Sequence, residues 1–121
     1  MDESQPIFMQ IMEVIETDIL RGVYQTDGLI ISTTQISKLF HVNPATAVKA
    51  VSKLADEGVL YKKRGIGMCV APEALGIIRK RRKDTFVNQT LRNVLTEAET
   101  LGISMDEVIS MLQSEGEDNH D

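Results

Sequence analysis

The sequence predicts a mainly α-helical fold with one small β-hairpin, divided into an N-terminal unit over residues 1–71 and a helical arm over residues 72–121. Three observations carry this. Apolar residues recur at three- and four-residue spacing through most of the chain. Helix-capping residues stand ahead of those runs at Ser32, Asn43 and Ser104. In "VLYKKRGIGMCVA" the pattern changes to two short apolar segments around a glycine-rich turn, the mark of a hairpin.

The elements follow in order. In "PIFMQIMEVIETDILR" Ile7, Ile11, Ile15 and Ile19 stand four apart, with Phe8, Met12 and Leu20 alongside, so one stripe of a first helix is expected to be buried, with Pro6 in its first turn. "GVYQTDGLII" supplies turn chemistry at Gly22 and Asp27-Gly28 around an apolar run suited to a strand at a sheet edge. Ser32 followed by Gln35 forms a capping box for a short second helix that ends near His41. Asn43-Pro44 starts a third: Asn accepts from an orphan backbone N–H, and Pro at the first helical position gives up no bond. Ala47, Ala50, Val51 and Leu54 line its inner face, leaving Ala45, Thr46, Lys49, Ser52 and Lys53 outside. Gly58 closes it and the hairpin follows, with a basic tip.

Ala71-Pro72 marks the boundary of the first unit. Beyond it Val87, Leu91, Val94, Ala98 and Leu101 are spaced 4, 3, 4 and 3, a heptad-like seam on a long helix that stops at Gly102. "SMDE" from Ser104 is a second capping box, opening a last helix with Met105, Val108, Ile109 and Leu112 on one side. The acidic "SEGEDNHD" is expected to fray.

Composition narrows the function classes. With 42% apolar and 26% charged residues the chain is an ordinary globular protein without a run long enough for a membrane span, and "MDESQPIF" has neither the basic start nor the apolar core of a signal peptide. A cytoplasmic location is expected. Cys69 has no partner for an internal disulfide and reads as a small apolar strand residue. The two His are scattered and no nucleophile–base pair or carboxylate pair stands out, so neither enzyme activity nor a metal or other cofactor is expected. The formal charge is −5, yet Lys38 to Lys83 holds eleven basic residues against three acidic ones, a net +8. The average conceals a basic middle.

Three helices and a hairpin, with a tight turn between the second and third helices, are the order of a winged helix-turn-helix. Such a module needs one helix that is small, polar and basic on its outer face and fixed by apolar packing on the other. Residues 43–57 meet that demand. Ala45 and Thr46 allow close approach to a major groove, Thr46 can bond a base edge or phosphate, and Lys49 and Lys53 suit phosphates. In the hairpin, Gly65 and Gly67 permit close backbone approach, and Lys62, Lys63 and Arg64 add charge. The bland reading of "KKRGIG" is a turn with solvated lysines.

Residues 6–71 resemble the DNA-binding domain of the GntR family of bacterial transcription regulators, through "PIFMQI", "ISKLFHVNPATAVKAVSKLADEGVL" and "RGIGMCV". The "VNPATA" turn and the short two-helix C-terminal part resemble the YtrA-like branch in particular. The resemblance implies a homodimer on a palindromic double-stranded DNA operator, each subunit placing its third helix in the major groove and its wing in the minor groove. It implies DNA contacts at Ser32, Lys38, Asn43, Thr46, Lys49 and Gly67. It also implies a repressor, of a branch that often controls transporter operons. Two positions depart from the pattern: Thr34 stands where relatives typically have Arg, and Val48 where a basic residue is common. Both remove a cation; contact with a thymine methyl is an alternative role for Val48.

Two helices are too few to bury both apolar faces of the arm, so dimerisation is expected, centred on Val87, Leu91, Val94, Ala98, Leu101, Val108 and Leu112. The basic run Arg79 to Lys83 fits either a solvated helix face or a phosphate-contacting segment. No residues are assigned to a small-molecule effector, for which a pocket between subunits, with Met side chains and Phe86, is the place the sequence offers. The competing function is a protein-interaction module that uses the same winged-helix surface without specific DNA binding.

Overall fold

The structure, a computed structural model, describes residues 5–118 and divides into two compact units, Met1–Lys80 and Arg81–Asp121. In the first unit, helix α1 (Ile7–Leu20) buries Ile11, Met12, Ile15 and Ile19. Two details depart from expectation. Pro6 is the N-cap rather than a first-turn residue, and Ile7 is exposed, because Phe8 is the residue of that turn that packs against the core.

Helix α2 (Thr33–Phe40) starts at the expected capping box. The Gln35 N–H donates to Ser32 Oγ at 3.1 Å, and the Ser32 N–H donates to Gln35 Oε1 at 2.8 Å. It ends at His41, whose φ of 54° is left-handed. The Val42 N–H then reaches the Ser37 carbonyl at 3.0 Å, and Ser37 Oγ donates to the Val42 carbonyl at 2.7 Å. These bonds hold the turn into α3 (Pro44–Asp56), where Asn43 Oδ1 accepts from the Ala45 N–H at 2.9 Å. Ala47, Ala50, Val51 and Leu54 are buried as the periodicity predicts, and α3 packs against both α1 and α2. Full burial of a side chain such as Leu54 contributes about 1.5–3 kcal/mol.

After Gly58, at φ +82°, β1 (Leu60–Lys63) pairs antiparallel with β2 (Gly67–Val70), Leu60 opposite Val70 and Lys63 opposite Gly67. The edge strand expected in "GLII" shrinks to one bridge, Leu29 to Cys69, flanked by bonds from the Ile30 N–H to the Met68 carbonyl and from the Val70 N–H to the Gly28 carbonyl, both 3.0 Å. The Gly28 turn and the Ser32 cap leave too few residues for more. Cys69 is buried and free, as an apolar strand residue should be.

Helix α4 (Ala74–Thr85) adds Ala74 and Ile78 to the same core as Ile11, Ile36, Leu54 and Val59, so the first unit runs past Pro72 to Lys80. In the second unit the expected single long helix is interrupted by a π-helical stretch, Phe86–Leu91, before α5 (Arg92–Leu101). Gly102 ends α5 at φ +72°, where a left-handed residue favours glycine. Ser104 Oγ then accepts from the Glu107 N–H at 3.2 Å and opens α6 (Met105–Asp118). The tail expected to fray is helical through Asp118, and Asn119 to Asp121 lie outside the described residues.

Candidate nucleic-acid interface

With its inner face locked into the core, α3 presents a second face of opposite chemistry. Ala45, Val48, Lys49, Ser52 and Lys53 are all exposed, and Thr46 is half-buried at the margin, less outward than its spacing suggested. The N-terminal end of α3 is itself an electropositive feature, because the helix dipole favours an anion there. Asn43, exposed at that end, accepts from the Ala45 N–H through Oδ1 and from the Thr46 and Ala47 N–H groups through its carbonyl. Ser32 and Thr34, at the start of α2, and Lys38, in its last turn, are exposed as well. The Ser32 hydroxyl is already engaged as the cap, leaving oxygen lone-pair and hydroxyl capacity for a further bond.

Lys49 carries a feature that spacing alone did not show. Its Nζ lies 4.2 Å from the centroid of the Phe8 ring, a cation–π contact between α3 and the first turn of α1. The ammonium is thereby restrained while its side chain stays exposed. The signal in the sequence was the aromatic residue among aliphatic ones in "PIFMQI"; pairing it with Lys49 required the packing of α1 on α3.

The hairpin follows α3 after one short turn and packs against it. Lys62, Lys63 and Arg64 are exposed, with no acidic residue between Lys62 and Gly67. The glycines prove to be conformational requirements. Gly65 takes φ +78° and Gly67 φ +142°, and a Cβ on Gly67 would lie 3.0 Å from Leu29 Cδ1. Between them stands Ile66, 59% exposed, a residue not singled out by the sequence patterns. At the root of the hairpin, Tyr61 Oη donates to Asp27 Oδ1 at 2.9 Å. That hydrogen bond, then burial, then the Asp27 charge push the phenol above its ordinary pKa of 10.0.

In the second unit, Val87, Leu91, Val94, Leu101 and Leu112 are exposed, whereas Ala98 and Val108 are already buried within it. The seam residues thus divide: two close the α5–α6 pair, and five remain open. An apolar cleft of about 300 Å³ lies on this pair, lined by Val94, Ala98, Leu101, Ile103, Val108 and Met111, among others. In the basic run, Arg79, Lys80 and Lys83 are exposed, and Arg81 and Arg82 are half-buried. Among the described residues no group of three or more His, Cys, Asp or Glu is placed to hold a metal ion, and no helix is long and apolar enough to cross a membrane.

No protein-family model matches the chain. Curated relatives do. The transcriptional repressor NagR of Bacillus subtilis is 36% identical over 66 residues, which are 54% of this chain and 27% of that protein. The repressor YtrA of the same organism is 24% identical over 105 residues, 87% of this chain and 80% of that protein. The chain therefore spans about a quarter of NagR but most of YtrA, including the arm. Among solved structures, the DNA-binding domain of AraR in complex with operator is 32% identical, with a TM-score of 0.52 over 55% of this chain and 80% of that one. A GntR-family transcriptional regulator from Bacteroides thetaiotaomicron is 31% identical, with a TM-score of 0.78, covering 95% of this chain and 100% of that one. Likeness at that level, running through winged helix-turn-helix and arm alike, makes this chain a member of the GntR family of transcriptional regulators.

Proposed function

We propose that the protein is a dimeric, sequence-specific DNA-binding repressor. The observation that carries this is the outer face of α3: small at Ala45, cationic at Lys49 and Lys53, capped by Asn43 and held by a fully apolar inner face. Lys38 and the exposed Lys62, Lys63 and Arg64 extend the positive surface onto α2 and the wing. Contacts by Ser32, Thr34, Lys38, Asn43, Thr46 and the wing glycines belong to this proposal. Support from relatives is direct in one case, the AraR domain, whose structure holds operator DNA.

Dimerisation supplies what the arm lacks. Val87, Leu91, Val94, Leu101 and Leu112 leave five large apolar side chains of the short arm in water, and a second copy is the partner that would cover them. Two copies also match a palindromic operator.

The test is to incubate the protein with fragmented DNA of its own genome near physiological salt and sequence what it retains. A palindrome with half-sites about one helical turn or more apart is expected, and its neighbouring genes identify the controlled operon. With half of the six named cations engaged per subunit, binding should fall with salt at a log–log slope of roughly −5. A second reading, a protein-docking winged helix, draws on Leu39 and Val48, 66% and 48% exposed, and on the missing cation at Thr34. Uniform or absent DNA recovery, with salt-insensitive capture of a protein, would favour it.

A further inference from the structure

We propose that Ile66 is a specificity-determining residue, imposing A·T pairs on the operator beneath the wing by apolar contact with the minor-groove floor. The proposal rests on the DNA-binding reading above and deepens it at one residue.

The wing tip is held by bonds at its turn and at its root. The Lys63–Gly67 pair closes the hairpin, and the Ile66 N–H returns to the Lys63 carbonyl at 3.0 Å. Gly65 and Gly67 hold left-handed φ values on either side. The root is fastened by the Leu29–Cys69 bridge and by the Tyr61–Asp27 hydrogen bond. What this scaffold projects is a branched aliphatic side chain, 59% exposed, with no side chain on either neighbouring residue. Exposure of an isoleucine at a tip otherwise made of Lys, Arg and Gly has no use in packing the hairpin.

Its chemistry selects a partner surface. Lys62, Lys63 and Arg64 draw the tip toward phosphates, and narrow A·T-rich minor grooves have the strongest negative potential. A tip whose two flanking residues are glycines is slim enough for a groove about 6 Å wide. On the groove floor A·T pairs present only acceptors, whereas G·C adds the protruding guanine 2-amino donor. An aliphatic side chain cannot accept a hydrogen bond from that amino group, yet it excludes the water that would. Guanine is therefore penalised, and A·T is selected without a hydrogen bond. Apolar side chains used as wedges in minor grooves follow the same logic.

Inosine·cytosine pairs separate this from major-groove readout, since they keep the major-groove face of G·C while lacking the 2-amino group. In the operator recovered above, each A·T pair flanking the half-sites is replaced in turn by G·C and by I·C, and affinities are measured for the wild type and for Ile66→Ser and Ile66→Ala. At the position under the wing, G·C should weaken wild-type binding about tenfold, I·C should restore it to within about twofold, and Ile66→Ser should bind all three alike. Circular dichroism establishes that the variants are folded. Equal weakening by I·C and G·C, or full discrimination retained in Ile66→Ser, would overturn the proposal while leaving DNA binding intact. Failure of the wild type to retain any specific DNA would overturn both.

Discussion

Asn43 sits where the cap of α3 and the proposed DNA-binding surface meet, and two substitutions there separate stability from recognition. Its Oδ1 accepts from the Ala45 N–H at 2.9 Å and caps α3. Asn43→Ala removes the acceptor at an exposed site where water substitutes in part, so the cost falls in the lower half of the usual capping range, about 0.5–1 kcal/mol. For a compact unit of 80 residues that is a fall in melting temperature of roughly 3–6 °C. Asn43→Asp keeps the acceptor and places a negative charge at the helix N-terminus, so stability should hold or rise by roughly 0.3–1 kcal/mol. On DNA the same charge works in the opposite direction. A carboxylate about 6 Å from a phosphate is repelled by roughly 0.7 kcal/mol at a dielectric of 80 and roughly 2.8 kcal/mol at 20, which brackets a tenfold loss of affinity. Thermal unfolding followed by circular dichroism and operator titration by fluorescence anisotropy read the two quantities separately. An Asp variant that binds operator as tightly as wild type would refute the placement of the α3 N-terminus on DNA. An Ala variant with an unchanged melting temperature would refute the cap.

The remaining predictions concern other parts of the molecule. Ile78→Ala should destabilise the first unit by about 2–5 kcal/mol in urea unfolding, because Ile78 is fully buried; a fragment of residues 1–80 should likewise be more stable than one of residues 1–71. Val94→Asp combined with Leu112→Asp should convert the proposed dimer to a folded monomer by light scattering, since both positions are exposed on the arm and a charge there opposes an apolar contact. Tyr61 should titrate above 10.0 by ultraviolet absorbance in the native protein, and Asp27→Asn should lower that midpoint. The sign follows from the neutral phenol being the form that donates to Asp27: the stabilisation is present below the unfolded tyrosine pKa and is lost as pH rises through the higher folded value.

Local chemistry made much of this fold legible in the sequence. The Ser32–Gln35 capping box, the Asn43-Pro44 helix start, the glycine stop at Gly102 and the "KKRGIG" turn each depend on bonds or dihedral angles within a few residues, and each was readable without knowledge of neighbours. The inner face of α3 was readable because Ala47, Ala50, Val51 and Leu54 keep helical spacing. The outer face of the same helix followed by subtraction, which is why the candidate interface was visible as well.

Tertiary structure decided whatever depends on partners distant along the chain. Periodicity assigned Ile7 to the buried stripe, but in that turn Phe8 is the residue that packs against the core, and Ile7 is left in water. Lys49 rests on Phe8, and the Cβ-free position at Gly67 faces Leu29, pairings that no local pattern contains. Ala74 and Ile78 join the core from beyond a proline that looks like a boundary, because burial rewards any apolar side chain within reach of the cluster, whatever its distance along the chain. Capping and turn bonds are made between near neighbours and can be read from short stretches; burial and approach between elements are properties of the assembled fold.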